Sequence, residues 1–254
     1  TPETFLSTQV PGTPIVEFGY PLSFESTHFM ENDTKSISGF GQITFELTDE
    51  LSVIAGLRYT DESKDSFVQT SGDAFPGNYA IEEIFTLTQS QSWSEFTPKF
   101  GLDYLRRDLP FFDSLLFYAS ATKGFKSGDF VKQTTRDSSI GTTDPEFAWN
   151  YEGGFKTLFA DSKVSLNATY FYTDYSNLQS QVISDTGFTN IVNNDAVAQG
   201  VEAELTVAPG GGLRLAATYG YLDTEISSDD PALDGNRLPR SPKNSFSFSG
   251  GYDF

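Results

Sequence analysis

The chain has 254 residues, with 16 Lys and Arg against 35 Asp and Glu and a net charge of −19. That balance argues against nucleic-acid binding, which needs clusters of Lys and Arg to neutralise phosphates. Cysteine is absent, which excludes a disulfide framework and thiol metal sites. No apolar run reaches about eighteen residues, the length of a helix that spans a bilayer.

Residues Thr1 to Lys35 show no sustained alternation and contain Pro2, Pro11, Pro14 and Pro21. They read as a loop segment leading into the first strand. From Ser36 onward, apolar and polar residues alternate with the period of two that places successive side chains on opposite faces of a strand. Ser36 to Leu47 sets Ile37, Gly39, Gly41, Ile43, Phe45 and Leu47 on one face, and Ser38, Gln42, Thr44 and Glu46 on the other. A tight turn at Thr48-Asp49-Glu50 leads into Leu51 to Tyr59, where Leu51, Val53, Ala55, Leu57 and Tyr59 are opposed by Ser52, Ile54, Gly56 and Arg58. Trp93 to Tyr104 follows, with Phe96, Phe100, Leu102 and Tyr104 opposed by Glu95, Thr97, Lys99 and Asp103. Pro98 within it counts against a central position for that strand. Glycines inside strands, at Gly39, Gly41 and Gly56, read as permitting close packing of neighbours.

Leu115 to Gly124 is the next segment, with the least certain faces. Glu146 to Thr157 presents Phe147, Trp149, Tyr151 and Phe155 opposite Asn150, Glu152 and Lys156. Lys163 to Val182, Asp195 to Val207, Leu213 to Asp223 and Asn244 to Phe254 continue the pattern, with Glu202, Glu204 and Arg214 on the polar face. That makes about nine strands, each with one apolar and one polar side, the sequence pattern of a transmembrane antiparallel β-barrel. The connections alternate. Short ones fall near Asp49, Leu109, Ala160 and Pro209 to Gly212; long ones span Thr60 to Ser92, Phe125 to Asp144, Ile183 to Asn194 and Thr224 to Lys243. Short periplasmic turns and long extracellular loops are expected of such a barrel, as are aromatic girdles of the kind suggested by Tyr59, Tyr104, Tyr221 and Tyr252. A soluble β-sandwich gives no reason for this segregation of loop lengths.

Several motifs carry a family resemblance. Ser38 to Tyr59 runs S-G-F-G-Q-I-T-F-E-L-T-D-E-L-S-V-I-A-G-L-R-Y, and Tyr118 to Phe130 runs Y-A-S-A-T-K-G-F-K-S-G-D-F. Asn150 to Lys156, Ala168 to Leu178, Gly200 to Glu204 and Gly235 to Pro239 complete the set. Together, in this order, they resemble the barrel of TonB-dependent receptors. The resemblance implies an all-β fold: residues 1–35 form an extracellular loop segment, and residues 36–254 form part of a barrel of about twenty-two strands. It also implies outer-membrane lipid as the surroundings, a plug domain not seen in this sequence, and energy delivered by the TonB complex. The cargo would be a scarce ligand such as a ferric siderophore, haem, cobalamin or a glycan. A passive porin and an extracellular β-rich adhesin are the alternatives.

No catalytic set or cofactor site is apparent, and an enzyme is not expected. His28 is the only histidine and reads as a solvated loop residue, with a haem or metal ligand as the sharper alternative. Asp229-Asp230 reads as a solvated pair rather than a calcium site. Gly210-Gly211-Gly212 lacks the Lys of a phosphate loop and reads as a turn. Candidate ligand-binding residues are Tyr79, Phe125, Lys126, Phe130 and Arg237. Arg58, Glu95, Lys99, Glu152, Lys156, Glu202, Glu204 and Arg214 should face the lumen, pairing between strands or with a plug.

Overall fold

The computed structural model describes residues 26–72, 85–107, 109–130, 142–183 and 189–254. In chain order the strands are β1 (Ser26–Glu46), β2 (Leu51–Gly72), β3 (Phe85–Arg107), β4 (Ser114–Lys126), β5 (Asp129–Phe130), β6 (Thr142–Thr143), β7 (Glu146–Phe159), β8 (Val164–Ile183), β9 (Thr189–Gly210), β10 (Leu213–Ser227) and β11 (Asn244–Tyr252). Nine of them form one sheet in the order β1-β2-β3-β4-β7-β8-β9-β10-β11, and β5 pairs with β6 in a separate ribbon. All the sheet's pairings are antiparallel.

The register confirms the two faces. One row of partners reads Phe45, Val53, Leu102, Ala119, Gly153, Tyr170, Val201, Tyr221 across successive strands. A row of opposite facing reads Gln42, Gly56, Lys99, Thr122, Asn150, Thr173, Ala198, Thr224. The apolar row does not enter a core. Leu57 is 52% exposed, Phe100 55%, Leu166 36% and Tyr219 47%. A sandwich would have hidden these side chains against a second layer; a barrel wall leaves them outside.

Several strands are longer than the alternation indicates. Pairing of β2 with β3 continues from Thr60↔Glu95 to Thr70↔Phe85, through a stretch read as loop. The part of the N-terminal loop segment from Ser26 to Lys35 is likewise strand, paired with residues 63–72. The register of β8 with β9 runs on past an irregularity at Tyr175/Leu178 to Ile183↔Thr189. These extensions carry polar residues on both faces, so the period-two signal fades although the ladder persists. β2 would span roughly 70 Å at about 3.3 Å per residue, whereas an apolar band is about 25 Å tall. Much of each tall hairpin therefore stands beyond the band, where neither face needs to be apolar.

The short turns are held as the sequence suggests. Thr48 Oγ1 accepts the backbone N–H groups of Glu50 and Leu51 at 3.2 and 3.0 Å. Ala160, Asp161 and Ser162 have φ of 58°, 57° and 58°, and Gly210, Gly211 and Gly212 have 104°, 62° and 84°. At the same end, Arg106 Nε meets Glu50 Oε1 at 3.2 Å and Arg106 Nη1 donates to the Tyr104 hydroxyl at 3.3 Å.

Candidate ligand-binding wall

The sheet is interrupted where β4 meets β3. Their pairing stops at Lys99↔Thr122, although β3 extends back to Phe85. Pro98, with no N–H to donate, occupies the next rung of β3, beyond which β2 is its sheet neighbour. The β4–β7 hairpin is thus a short one set between two tall ones, β2–β3 and β8–β9. The chain leaving β4 fills the space above it. Ser127 Oγ donates to Glu62 Oε1, Lys64 Nζ donates to Gly128 O at 2.8 Å, and Gln179 Nε2 donates to Ser127 O at 2.9 Å. The same segment is thereby tied to both tall hairpins. Glycine is required there: a Cβ on Gly128 would lie 2.2 Å from Thr143 O and 2.7 Å from the Trp93 ring.

Below this strap, a groove of about 740 Å³ opens on the polar face. Arg58, Lys64, Lys99, Lys123 and Lys126 all line it. That is a dense set of cations for a chain holding 16 in all. Three of them have carboxylate partners: Lys123 Nζ meets Glu95 Oε1 at 2.5 Å, Lys64 meets Glu62 at 3.7 Å, and Lys126 meets Glu146 at 3.7 Å. Arg58 is held only by hydroxyls, donating to Ser38 Oγ at 2.6 Å and Thr60 Oγ1 at 3.2 Å, and its guanidinium lies 5.9 Å from the centre of the Phe40 ring. Lys99 has no ion-pair or hydrogen-bond partner among the described residues. Phe40 shares the groove and is 80% exposed.

Of the five candidate ligand residues, two belong here. Phe125 and Lys126 line the groove, but as the last residues of β4 rather than as loop. The Phe125 ring packs against Phe147, 5.7 Å between centroids. Phe130 is only 3% exposed and sits in the β5–β6 ribbon, so its ring offers no stacking surface. Arg237 closes the β10–β11 connection on itself, donating to Asp223 Oδ1 at 3.1 Å, Leu222 O at 2.9 Å and Ser241 O at 3.1 Å. Its fork is occupied internally rather than presented to a ligand. Tyr79 lies outside the described residues.

The lumen-facing set shares one face by register, but the salt-bridge ladder expected within it does not form. Of these eight residues only Glu95 has an ion pair, and its partner is Lys123. Glu152 accepts from Asn150 Nδ2 at 2.8 Å, and Asn150 accepts from Thr173 at 2.8 Å. Lys156 Nζ lies 5.5 Å from the centre of the Tyr118 ring. Glu202 and Glu204 stand opposite Gly220 and Thr218 on β10, and Arg214 opposite Gly251 on β11. Arg58 stands as near to Glu95 in register as to Lys99, but Glu95 is taken by Lys123 and Arg58 bonds to the hydroxyls of Ser38 and Thr60. His28 lies in β1 opposite Thr70, within a strand rather than a loop. Asp230 Oδ1 accepts the Ala232 N–H at 2.9 Å and so closes a turn. Among the described residues no group of three or more His, Asp or Glu side chains is placed to hold a metal ion.

Lys64, Lys123, Phe40 and Trp93 were not singled out by the sequence. Lys64 fell in an assigned loop. Strict alternation sends Lys123 to the apolar face with Phe117, Ala119 and Ala121, yet the broken β3–β4 pairing lets it reach Glu95. Pro98 was the one signal in the sequence that such a break was near.

Comparison with known proteins fits this architecture. A family model described as TonB dependent receptor-like, beta-barrel, matches residues 6–254. The ferric-pyoverdine 358 receptor of Pseudomonas putida is 29% identical over 210 residues, covering 80% of this chain and 22% of that protein. The metal-pseudopaline receptor of Pseudomonas aeruginosa is 26% identical over 167 residues, 66% of this chain and again 22% of the relative. Among solved structures, the ferric yersiniabactin uptake receptor of Yersinia pestis superimposes with a TM-score of 0.70 at 20% identity, covering 89% of this chain and 32% of that one. The chain thus spans 22% of the length of these curated relatives. With a family match over nearly all its residues and an antiparallel wall that turns its apolar side outward, the chain belongs to the TonB dependent receptor-like β-barrel family of the outer membrane.

Proposed function

We propose that this chain forms part of the wall of a receptor that imports a metal chelate of the siderophore type across the outer membrane. The apolar face contacts lipid, a plug domain fills the lumen, and TonB supplies the energy. No chemistry on the cargo is expected. The observation that carries the reading is the family match over residues 6–254. The names of the relatives, receptors for ferric pyoverdine and metal-pseudopaline, support a metal chelate over a glycan or cobalamin. The cation-lined groove on the inner face is where such a cargo would meet the wall.

The test is uptake of radiolabelled iron chelates by cells that carry or lack the whole gene, each with TonB intact or disrupted. Loss of uptake on removing either the gene or TonB is the expected result. Uptake that depends on the gene but not on TonB would make the protein a passive pore.

A further inference from the structure

We propose that Arg58 and Lys99 form an anion-selecting subsite on the inner wall, and that the cargo is a compact metal chelate carrying net negative charge. The proposal rests on the import reading above and narrows it. Its basis is the unequal pairing of the groove's cations. Lys64, Lys123 and Lys126 are each neutralised by a carboxylate, and two of these pairs are largely shielded from water. Among the described residues Arg58 and Lys99 have no carboxylate partner. They stand on adjacent strands, two rungs apart in register and so on the same face, since Lys99 opposes Gly56 and Arg58 opposes Thr97. The groove therefore keeps positive charge in a chain whose overall charge is −19. A concave, partly enclosed cationic patch focuses the local potential and concentrates anions that the rest of the surface repels.

The level along the wall suits a subsite for incoming cargo. Tyr59 and Phe96, rings 4.8 Å apart on the apolar face, are the neighbours of Arg58 and Thr97 in sequence and belong to the end nearer the long connections. The subsite thus lies where the wall emerges from the apolar band. A volume of about 740 Å³ is in the range of small-molecule sites. Phe40, exposed beside Arg58, adds a flat apolar surface for the organic rim of a chelate. The guanidinium fork suits paired oxygens, and the Lys99 ammonium adds a point charge.

The test uses the full-length receptor in detergent, titrated with two probes of similar size: a trianionic ferric tris-catecholate and a neutral ferric tris-hydroxamate. Binding is followed by quenching of tryptophan fluorescence. The wild type should prefer the trianion, and rising salt should reduce that preference. Arg58→Gln and Lys99→Gln should each weaken the trianion about tenfold and leave the neutral chelate unchanged. Arg58→Lys should keep more of the preference than Arg58→Gln. Lys163→Gln, the same loss of charge at the short-turn end, should alter neither. Heat-modifiable migration on gels checks that each variant still folds. Equal affinity of the wild type for both probes overturns the proposal. So does equal weakening of both probes by Arg58→Gln and Lys99→Gln, which would mean that the two cations hold another segment of the receptor. TonB-dependent uptake without charge preference would sink the anion subsite alone; absence of TonB-dependent uptake for any iron chelate would sink the import reading.

Discussion

Gly154 and Gly200 lie beneath large side chains of the neighbouring strand. A Cβ on Gly154 would lie 2.4 Å from Ala168 O and 2.9 Å from the Tyr118 hydroxyl; one on Gly200 would lie 2.1 Å from Tyr221 O and 2.8 Å from the Phe171 ring. The Tyr118 hydroxyl is also hydrogen-bonded to Thr169 Oγ1 at 2.5 Å, which fixes the ring over the bare backbone. Gly39 and Gly41 have nothing within 4 Å of the same position. Close packing, expected at the early glycines, is realised at the later ones instead. Gly154→Ala and Gly200→Ala should each cost about 1–3 kcal/mol through overpacking, while Gly39→Ala should fall within about 0.5 kcal/mol of wild type. Urea unfolding of the full-length receptor measures both, and a Gly39→Ala penalty as large as that of Gly154→Ala would refute the packing argument. A residue effect of opposite sign is expected at Ala160, whose φ of 58° is the left-handed region. Ala160→Gly should relieve roughly 1 kcal/mol of steric cost, seen as a higher urea midpoint.

At the level of elements, the difference in hairpin height shapes the site. Because β4 and β7 stop at Lys126 and Glu146 while β3 and β8 continue, a notch opens in the wall. The strap at Ser127-Gly128 fills that notch through Glu62, Lys64 and Gln179. The buried residues other than Thr157 lie toward this end, including Ser66, Val68, Ser127, Phe130, Thr143 and Asn194. The strap therefore acts as a local core beyond the apolar band. Gly128→Ala should dislodge it from Trp93, since the new methyl would clash with both Thr143 O and the indole. In a Trp149→Phe background, where Trp93 is the remaining tryptophan of this segment, the variant should show a red-shifted Trp93 emission and faster acrylamide quenching. An unchanged spectrum would mean that the strap is held elsewhere.

Across the whole molecule, the decisive feature is that the sheet has two edges. Among the described residues β1 and β11 each have one neighbour, and β11 is exposed on both faces, with Phe246 at 83% and Phe248 at 69%. Backbone groups on an edge in lipid would lack partners, at several kcal/mol for each unsatisfied group. Exposed edges also template pairing with other chains. Residues 1–254 produced alone should therefore aggregate in detergent and lack heat-modifiable migration, in contrast to the full-length receptor. A monodisperse, heat-modifiable species from this segment alone would contradict the need for further strands.

The sequence by itself determined the strand order, the two faces and the short turns, because period-two alternation is imposed wherever one side meets hydrocarbon and the other water. Phe45, Val53 and Leu102 fall where the alternation puts them, and Thr48 and Gly210 to Gly212 turn where their chemistry directs. Only the tertiary structure decided where the tall hairpins end, since beyond the apolar band both faces are polar and the ladder leaves no trace in hydropathy. It alone also decided which cations are neutralised. Lys123 meets Glu95 where pairing of β3 with β4 ends beside Pro98, and among the described residues Arg58 and Lys99 have no carboxylate partner. Charge pairing depends on distances between strands remote in sequence, and spacing along one strand carries no record of them.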